Sequence, residues 1–514
     1  MDARVNLVLL ACCGLLLVAV FAVRLASRAG LPTLLVYLAI GLAVGQAGLG
    51  VRFSDYRLTE DLGLIALALI LAEGGLTTRY VEVRPALPFA VLLSTFGVLV
   101  NVAVVAGASV LLLGVDRRTA VLLGAVVAST DASAVFSVLR RLPLRASLRS
   151  VLEAESGLND APTVVLVTIA SSTAWDTTGA GTIAALVAYE LLAGLAVGLA
   201  LGGLGRAVLA RLALPSAGLY PIATVGLVLT AFAAANAIGA SGFLAVYVAG
   251  LIVGSSRLPH RRAVLGFATS LALLAELGLF VLLGLLASPA RLLGAVPAAL
   301  VVGGFATLLA RPLAVAMSAL PFKVPWRHQV FLGWAGLRGA VPIVLATVPV
   351  RTGVPGGTRV LDTVFVLVVV YTLVQAPTLP WVGRRLGVVE DLGATDLEVE
   401  SAPLDEMRAD LLQVEVREGS HLHGVYVDEL RLPAGAVLTL VVRGRQSTVP
   451  GPDTRLQRGD SLLVIATTDS RRAAEERLRA VSRDGKLARW YAVPVVTRAS
   501  SVPWRWRWRW RWWR

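Results

Sequence analysis

Long apolar segments recur through roughly the first three quarters of this 514-residue sequence, up to about position 388. Most are about 20 residues long, the length that a helix needs to cross a hydrocarbon core about 30 Å thick. Charged residues make up only 16% of the chain, whereas soluble proteins carry about a quarter. A soluble protein does not bury so many long apolar segments. The sequence therefore predicts an α-helical polytopic membrane protein.

Thirteen segments meet the requirements for a transmembrane helix. They are residues 5–23, 31–50, 60–77, 87–113, 119–139, 149–171, 182–205, 217–236, 241–255, 263–287, 293–317, 328–349 and 359–382. The first segment is longer than the core of an ordinary signal peptide and lacks a clear cleavage site, so we interpret it as a retained helix.

The loops between these segments differ in basic residues. One alternating set of loops holds 18 arginines and lysines, and the opposite set holds 8. Basic residues collect in cytoplasmic loops, which predicts an N-terminus outside and a C-terminus inside. The same loops account for the net charge of +14, so we do not expect a nucleic-acid partner.

The composition changes near residue 388. We interpret 1–388 as the membrane domain, 389–403 as a linker, 404–483 as a small α/β domain and 484–514 as a basic tail. Within the small domain we predict strands at 411–416, 437–442 and 461–466, a helical or turn segment at 427–430 and a helix at 470–481. The tail alternates tryptophan and arginine, which suits an interfacial anchor on anionic lipid. A tail without a role is the alternative.

Polar residues interrupt the fifth predicted helix at Ser129, Thr130 and Asp131. A carboxylate inside a membrane span is costly, so it indicates function. Small and hydroxylated neighbours favour a local break in the helix, whose freed carbonyl groups can bind a cation. The alternative is a structural aspartate that caps a half-helix, and the two roles are compatible.

A second polar cluster, residues 155–160, lies in the first half of the sixth predicted helix. Helical spacing places Ser156 on the same face as Asp160, and Glu155 on the same face as Asn159. A hard monovalent cation prefers oxygen ligands, and burial favours the protonated form of a carboxyl group. Asp160 can therefore hold one proton or one cation, which is the minimum requirement for exchange. The alternative is a polar patch that only stabilises helix packing.

Two glycines and a proline interrupt the twelfth predicted helix within residues 336–342. Arg338 is a permanent charge near the middle of that segment and requires an acidic partner. Glu155 and Glu73 are the candidates, and we expect Glu73 to join the polar core. These positions predict a structural and electrostatic role for Arg338, not a role as a cation ligand.

We predict neither an enzyme nor a resident cofactor. None of the four histidines falls in a predicted span beside Ser156, so a serine hydrolase inside the membrane would lack its base. The sequence has no nucleotide-binding or metalloprotease motif. The only cysteines, Cys12 and Cys13, are adjacent and offer no metal-ligand spacing.

The three polar motifs together resemble those of the sodium/hydrogen exchanger family of monovalent cation:proton antiporters, over residues 5–387. The resemblance implies an inverted-repeat fold in which the fifth and twelfth helices are unwound and cross. It also implies a six-helix core that moves against a dimerisation domain, and hence a homodimer in contact with lipid. By position, the implied ligands of the transported cation are Asp160, Ser156 and Thr130, with Asp131 nearby. The implied supporting residues are Glu155, Asn159 and Arg338.

Residues 404–482 resemble a TrkA-C (RCK-C) domain through Gly424, Leu430, the segment 433–435, Arg443 and the turn at 459–460. An exchanger joined to such a domain resembles bacterial potassium/proton antiporters. The resemblance favours K⁺ over Na⁺, a bacterial plasma membrane and a small-molecule ligand for the domain. The adjacent asparagine and aspartate in the sixth helix resemble the electroneutral branch of the family.

Three functions stay open at this point. The first is a cation/proton antiporter, with K⁺ favoured and Na⁺ as the alternative. The second is a potassium channel regulated by the TrkA-C-like domain, although the sequence holds nothing that resembles a potassium selectivity filter. The third is a membrane sensor that has lost transport, which would have no need of intramembrane charges.

Overall fold

The computed structural model describes residues 13–22, 24, 33–131, 144–389 and 399–485, apart from positions 47, 52, 178, 257, 405–408, 418, 445 and 468, together with residues 6, 10 and 488. It divides into two compact units, with the division between Glu390 and Asp391. The first unit is helical, and the second contains a β-sheet.

The longer helices of the first unit match the predicted segments, the twelfth of which is divided into two helices, and a four-residue helix (Tyr80–Val83) lies between two segments. The longer helices are α1 (Cys13–Ala22), α2 (Thr33–Val44), α3 (Tyr56–Thr77), α4 (Leu87–Leu113), α5 (Arg117–Ala128), α6 (Ala146–Ser171), α7 (Ala180–Arg211), α8 (Leu219–Ala237), α9 (Gly242–Gly254), α10 (Arg261–Leu286), α11 (Pro289–Phe322), α12 (Trp326–Trp334), α13 (Ala340–Arg351) and α14 (Gly357–Arg385). Within the described residues, α4, α7, α8, α10, α11 and α14 are each long and apolar enough to span a membrane.

These helices pack in two groups. In one group, α9 packs on α3, α7 and α8, and α10 packs on α2 and α3. In the other group, α5 packs on α4 and α6, and α14 packs on α11 and α13. Glycine permits the closest approaches, since a Cβ atom at Gly75 of α3 would lie 2.6 Å from the carbonyl oxygen of Tyr247 in α9. The two groups meet where α13 packs on α3 and where α6 packs on α9.

An ion pair joins the two groups at one end. Arg351, in the last turn of α13, donates from Nε to Oε2 of Glu60 in α3 at 2.6 Å. The Glu60 side chain is 6% exposed and that of Arg351 is 44% exposed, so the carboxylate is desolvated while the guanidinium still reaches solvent.

Two of the predicted spans in the second group leave the helical conformation. Helix α5 ends at Ala128, and Ser129 already has an extended backbone. The chain also leaves the helical conformation between α12 and α13, at residues 335–339. The two breaks are joined because the Asp131 N–H donates to the carbonyl oxygen of Leu337 at 2.9 Å. The predicted unwinding of the twelfth segment is thus confirmed, and that of the fifth is confirmed as far as Asp131. Residues 132–143 of the predicted fifth segment lie outside the described residues.

The second unit is an antiparallel five-stranded sheet of order β1-β2-β5-β3-β4. The strands are β1 (Val399–Leu404), β2 (Ala409–Glu415), β3 (Ala436–Arg443), β4 (Gln446–Thr448) and β5 (Asp460–Thr467). Helix α15 (Arg471–Asp484) packs on β2 and β5 and buries Leu478 with Leu412 and Leu462 of the sheet.

The three predicted strands and the predicted helix are present in this unit. Strand β1 was missed, because the prediction placed a linker at 389–403. Its sequence contains a proline and lacks a regular apolar alternation, and it becomes a strand by pairing with β2. Strand β4 was also missed because it is three polar residues on the edge of the sheet. Edge strands depend on a partner strand more than on their own pattern.

An ion pair between a buried aspartate and an exposed arginine stabilises the second unit. Arg443 of β3 donates from Nε and Nη2 to the two carboxylate oxygens of Asp460 at 2.8 and 2.9 Å. Burial alone would raise the pKa of Asp460, but the hydrogen bonds from Arg443 and from the Gln457 N–H outweigh it, so the pKa is lowered. Asp460 therefore stabilises the folded unit as a carboxylate.

Candidate cation site

Asp160 lies on α6 beside the break that follows α5. The residue is 4% exposed, and Ser129 Oγ donates to its Oδ1 at 2.5 Å. One turn further along α6, Thr163 Oγ1 donates to the Asp160 carbonyl oxygen at 2.8 Å. The carboxylate is therefore held away from solvent, against the extended segment of the neighbouring helix.

Two other residues of α6 hold Thr130 in the break. Ser156 Oγ donates to the Thr130 carbonyl oxygen at 3.0 Å. Asn159 Nδ2 donates to Thr130 Oγ1 at 2.6 Å. Helical spacing places Ser156, Asn159 and Asp160 close enough along α6 to face the same break. The structure thus brings the residues predicted as cation ligands, Asp160, Ser156 and Thr130, into one cluster, in which Asp160 and Thr130 are buried and Ser156 is partly buried.

Asp131 and Arg338 lie at opposite helix ends in the region where the two breaks meet, which we call the crossing. The Asp131 carboxylate lies at the start of α13, where a Cβ atom on Gly339 would come 1.7 Å from Asp131 Oδ2. Arg338 Nε donates to the carbonyl oxygen of Val127, at the end of α5, at 3.0 Å. A helix N-terminus carries partial positive charge and a C-terminus partial negative charge. Each side chain therefore opposes the charge of the helix end beside it.

The prediction that Arg338 pairs with Glu155 or Glu73 is wrong. Glu155 pairs instead with Arg311 of α11, through Nη1 to Oε1 and through Nη2 to Oε2 at 2.8 Å. Both side chains are almost fully buried, with 2% of Glu155 and 4% of Arg311 exposed. Within the described residues, no carboxylate lies at ion-pair distance from Arg338, whose guanidinium donates to the Val127 carbonyl and to Thr307 Oγ1. Its hydrogen bonds to neutral oxygens take the place of the expected salt bridge.

Sequence reasoning missed Arg311 because it was counted among the basic residues of the cytoplasmic loops. A usable signal was present, since Arg311 falls inside the predicted span 293–317 and charged residues inside spans are exceptional. Glu73, the other candidate partner of Arg338, accepts a hydrogen bond from Thr269 of α10 at 3.1 Å. This contact lies between α3 and α10.

The buried charges of the crossing nearly balance. Arg311 and Arg338 are 3% and 2% exposed, and Glu155 and Asp160 are 2% and 4% exposed, while Asp131 is partly exposed. Among the described residues, the crossing thus contains two guanidinium groups and three carboxyl groups. Counted by formal charge, the carboxyl groups exceed the guanidinium groups by one. A single additional positive charge would therefore make the formal sum zero.

Two joined interruptions of helical segments beside a buried carboxyl group, in a multi-pass helical unit, are typical of a secondary ion transporter. Residues 15–385 match the family model described as "Sodium/hydrogen exchanger, transmembrane". The chain belongs to this family of cation:proton antiporters, and it is a multi-pass membrane protein. Residues 411–479 match the model of the TrkA-C domain.

Two relatives resemble the chain over most of its length. The K(+)/H(+) antiporter NhaP of Alkalimonas amylolytica is 34% identical over 471 residues, which cover 90% of this chain and 81% of the relative. The K(+)/H(+) antiporter NhaP2 of Shewanella baltica is 35% identical over 460 residues, which cover 87% and 78%.

A solved structure shares the fold. The sodium proton antiporter MjNhaP1 from Methanocaldococcus jannaschii superimposes with a TM-score of 0.66 at 21% sequence identity, over 75% of this chain and 99% of MjNhaP1. The predicted antiporter fold, with a small C-terminal α/β domain, is confirmed by these comparisons.

Proposed function

We propose that this protein exchanges K⁺ for H⁺, one for one, with Asp160 as the group that carries either ion. The observation that carries the proposal is the buried Asp160 carboxyl group beside the two joined helix breaks. The substrate K⁺ is supported by the relatives named K(+)/H(+) antiporters. Electroneutral exchange is supported by the charge balance of the crossing.

The site chemistry follows from this assignment. When K⁺ arrives, the Asp160 proton leaves and the carboxylate takes the cation with oxygens of Ser156 and Thr130. Asp131 stays at the start of α13 and adds negative potential nearby. Arg338 stays on the C-terminal end of α5, while Glu155 remains paired with Arg311. When a proton returns on the other side of the membrane, Asp160 becomes neutral and the cation leaves.

Four features of the whole protein belong to the same proposal. We place the N-terminus outside and the TrkA-C domain in the cytoplasm, since basic residues favour the cytoplasmic loops. A homodimer in lipid is supported by the apolar side chains that α7 exposes along its length, among them Leu186, Leu192 and Leu199. We assign a regulatory small-molecule ligand to the TrkA-C domain. The domain boundaries proposed from the sequence are 388/389, 403/404 and 483/484, with β1 lying almost wholly in the segment before 404.

The test is dye-reported proton movement in proteoliposomes, driven by an imposed K⁺ gradient. We expect Asp160→Ala and Asp160→Asn to abolish K⁺-stimulated proton movement. Glu190→Gln is the matched control, since Glu190 is a membrane carboxyl group on α7, outside the crossing. If Asp160→Ala exchanges ions as well as the control does, the assignment of the site is wrong.

Two further measurements separate the alternatives. A panel of K⁺, Na⁺, Li⁺ and Rb⁺ gradients gives the substrate, and a response to Na⁺ that exceeds the response to K⁺ would replace K⁺/H⁺ exchange by Na⁺/H⁺ exchange. A K⁺ current that is independent of pH would indicate a channel. The same panel on protein truncated after residue 390, where the first unit ends, tests the TrkA-C domain, whose removal should change the regulation and leave the ion preference intact.

A further inference from the structure

Ser129 is the side chain that contacts the Asp160 carboxylate. Its Oγ lies 2.5 Å from Asp160 Oδ1, and the residue is fully buried. Within the described part of the chain, no other side chain makes a hydrogen bond to that carboxylate. Sequence reasoning had used Ser129 only as a small residue that favours a helix break.

The hydroxyl groups of Ser156 and Thr130 make their hydrogen bonds to groups other than the Asp160 carboxylate. Ser156 donates to the Thr130 carbonyl oxygen at 3.0 Å, and Thr130 Oγ1 receives the Asn159 amide at 2.6 Å. These contacts hold the break against α6 but do not reach the carboxylate. A cation that binds the Asp160 carboxylate therefore also contacts the Ser129 hydroxyl oxygen.

The position of Ser129 suits a ligand. It follows the last residue of α5 and has an extended backbone, with φ −65° and ψ 140°. A hydroxyl group has one proton to donate and two lone pairs. It can donate to Asp160 when no cation is present and turn a lone pair to a cation when one is bound. A hard alkali cation favours such oxygen ligands.

We propose that Ser129 is a further cation-binding residue, which binds a dehydrated alkali cation together with Asp160 and sets the affinity for it. The proposal rests on the proposed function, because it takes Asp160 as the exchanging group. It adds an oxygen that the resemblance to the family did not assign. Binding of the cation breaks the Ser129–Asp160 hydrogen bond and replaces it with two contacts to the ion.

The first test is the kinetics of exchange in proteoliposomes. Ser129→Ala should raise the KM for K⁺ by about tenfold, as expected for loss of one interaction with a charged group. Ser129→Thr keeps the hydroxyl and should retain the original KM. Ser109→Ala is the matched control, since that buried serine donates only to the Val105 carbonyl in its own helix. An unchanged KM in Ser129→Ala overturns the proposal.

The second test distinguishes a ligand from a packing residue and does not depend on the alanine variant. Ser129→Cys replaces the hydroxyl oxygen by sulfur at similar size. Sulfur favours soft cations, so the preference for Tl⁺ over K⁺, measured as the ratio of the two KM values, should rise severalfold. A ratio equal to that of the unmodified protein overturns the proposal, because a packing role would not alter the preference between the two ions.

The outcomes also separate this proposal from the one on which it rests. Exchange that survives Asp160→Ala refutes the proposed site as a whole. Loss of exchange in Asp160→Ala, with Ser129→Ala and Ser129→Cys both unchanged in KM and in ion preference, refutes only the role of Ser129.

Discussion

The buried Arg311–Glu155 pair gives the sharpest prediction about stability. Glu155→Gln removes the negative charge and keeps the size of the side chain, so Arg311 remains in the interior as an unpaired cation. With 4% of Arg311 and 2% of Glu155 exposed, water cannot compensate. Loss of one member of a buried pair costs about 3–5 kcal/mol, and we expect a decrease of that size in the free energy of unfolding.

Removal of both charges should restore much of that loss. In the double variant Glu155→Met, Arg311→Met, apolar side chains fill the site and no unpaired charge remains, which is often neutral or stabilising. The double variant should therefore be more stable than Glu155→Gln, although it contains more changes. Glu82→Gln is the control, since Glu82 pairs with Arg79 at 3.2 Å with both side chains more than half exposed. Such exposed pairs contribute about 0–1 kcal/mol.

The assay is unfolding of the purified protein in mixed micelles by increasing proportions of SDS, monitored by tryptophan fluorescence. It yields the free energy of unfolding for each variant under the same conditions. If Glu155→Gln and Glu82→Gln are equally stable, or if the double variant is weaker than Glu155→Gln, the assignment of a desolvated pair is refuted.

Three other predictions follow from single contacts. Gly339→Ala introduces a methyl group into the space of the Asp131 carboxylate, so K⁺-stimulated proton movement should fall more than tenfold. The control Gly226→Ala has no atom within 4 Å of the added methyl group and should leave proton movement unchanged. Glu60→Gln breaks the ion pair between the two helix groups and should lower the free energy of unfolding by about 1–2 kcal/mol, between the values for exposed and buried pairs; Asp61→Asn, an exposed neighbour, should have no such effect. Asp460 has a lowered pKa in the folded protein. Its contribution to the stability of the folded domain is therefore complete above the unfolded pKa of about 3.9. That contribution is lost as the pH falls through the lower pKa of the folded state. Asp460→Asn should make the TrkA-C domain easier to cleave by limited proteolysis at neutral pH and should remove this acid dependence; equal cleavage of both proteins would contradict it.

Prediction from the sequence succeeded where one residue pattern carries the information. Apolar length alone located the membrane helices, because a span of about 30 Å requires about 20 apolar residues whatever their neighbours are. The helix break between α12 and α13 was predicted from glycine and proline, which act on their own backbone. Prediction failed at β1 and β4, whose backbone hydrogen bonds are completed by other strands.

The polar residues show the same division. The sequence by itself determined that Asp131, Asp160 and Arg338 lie inside apolar segments, and the high cost of such charges is enough to mark them as functional. It did not determine which charges meet. Arg311 pairs with a glutamate 156 positions away, and this partner depends on how α11 packs near α6.

Only the tertiary structure decided that Arg338 faces the end of α5 with no carboxylate at ion-pair distance among the described residues, that Asp131 lies at the start of α13, and that Ser129 donates to Asp160. The physical reason is that a hydrogen bond or an ion pair depends on distances of about 3 Å between atoms, which are set by how the two helix breaks meet. The residues along one helix are enough to predict that it inserts into the membrane and that it carries a buried charge. The partner of each charge is set by the contact between helices.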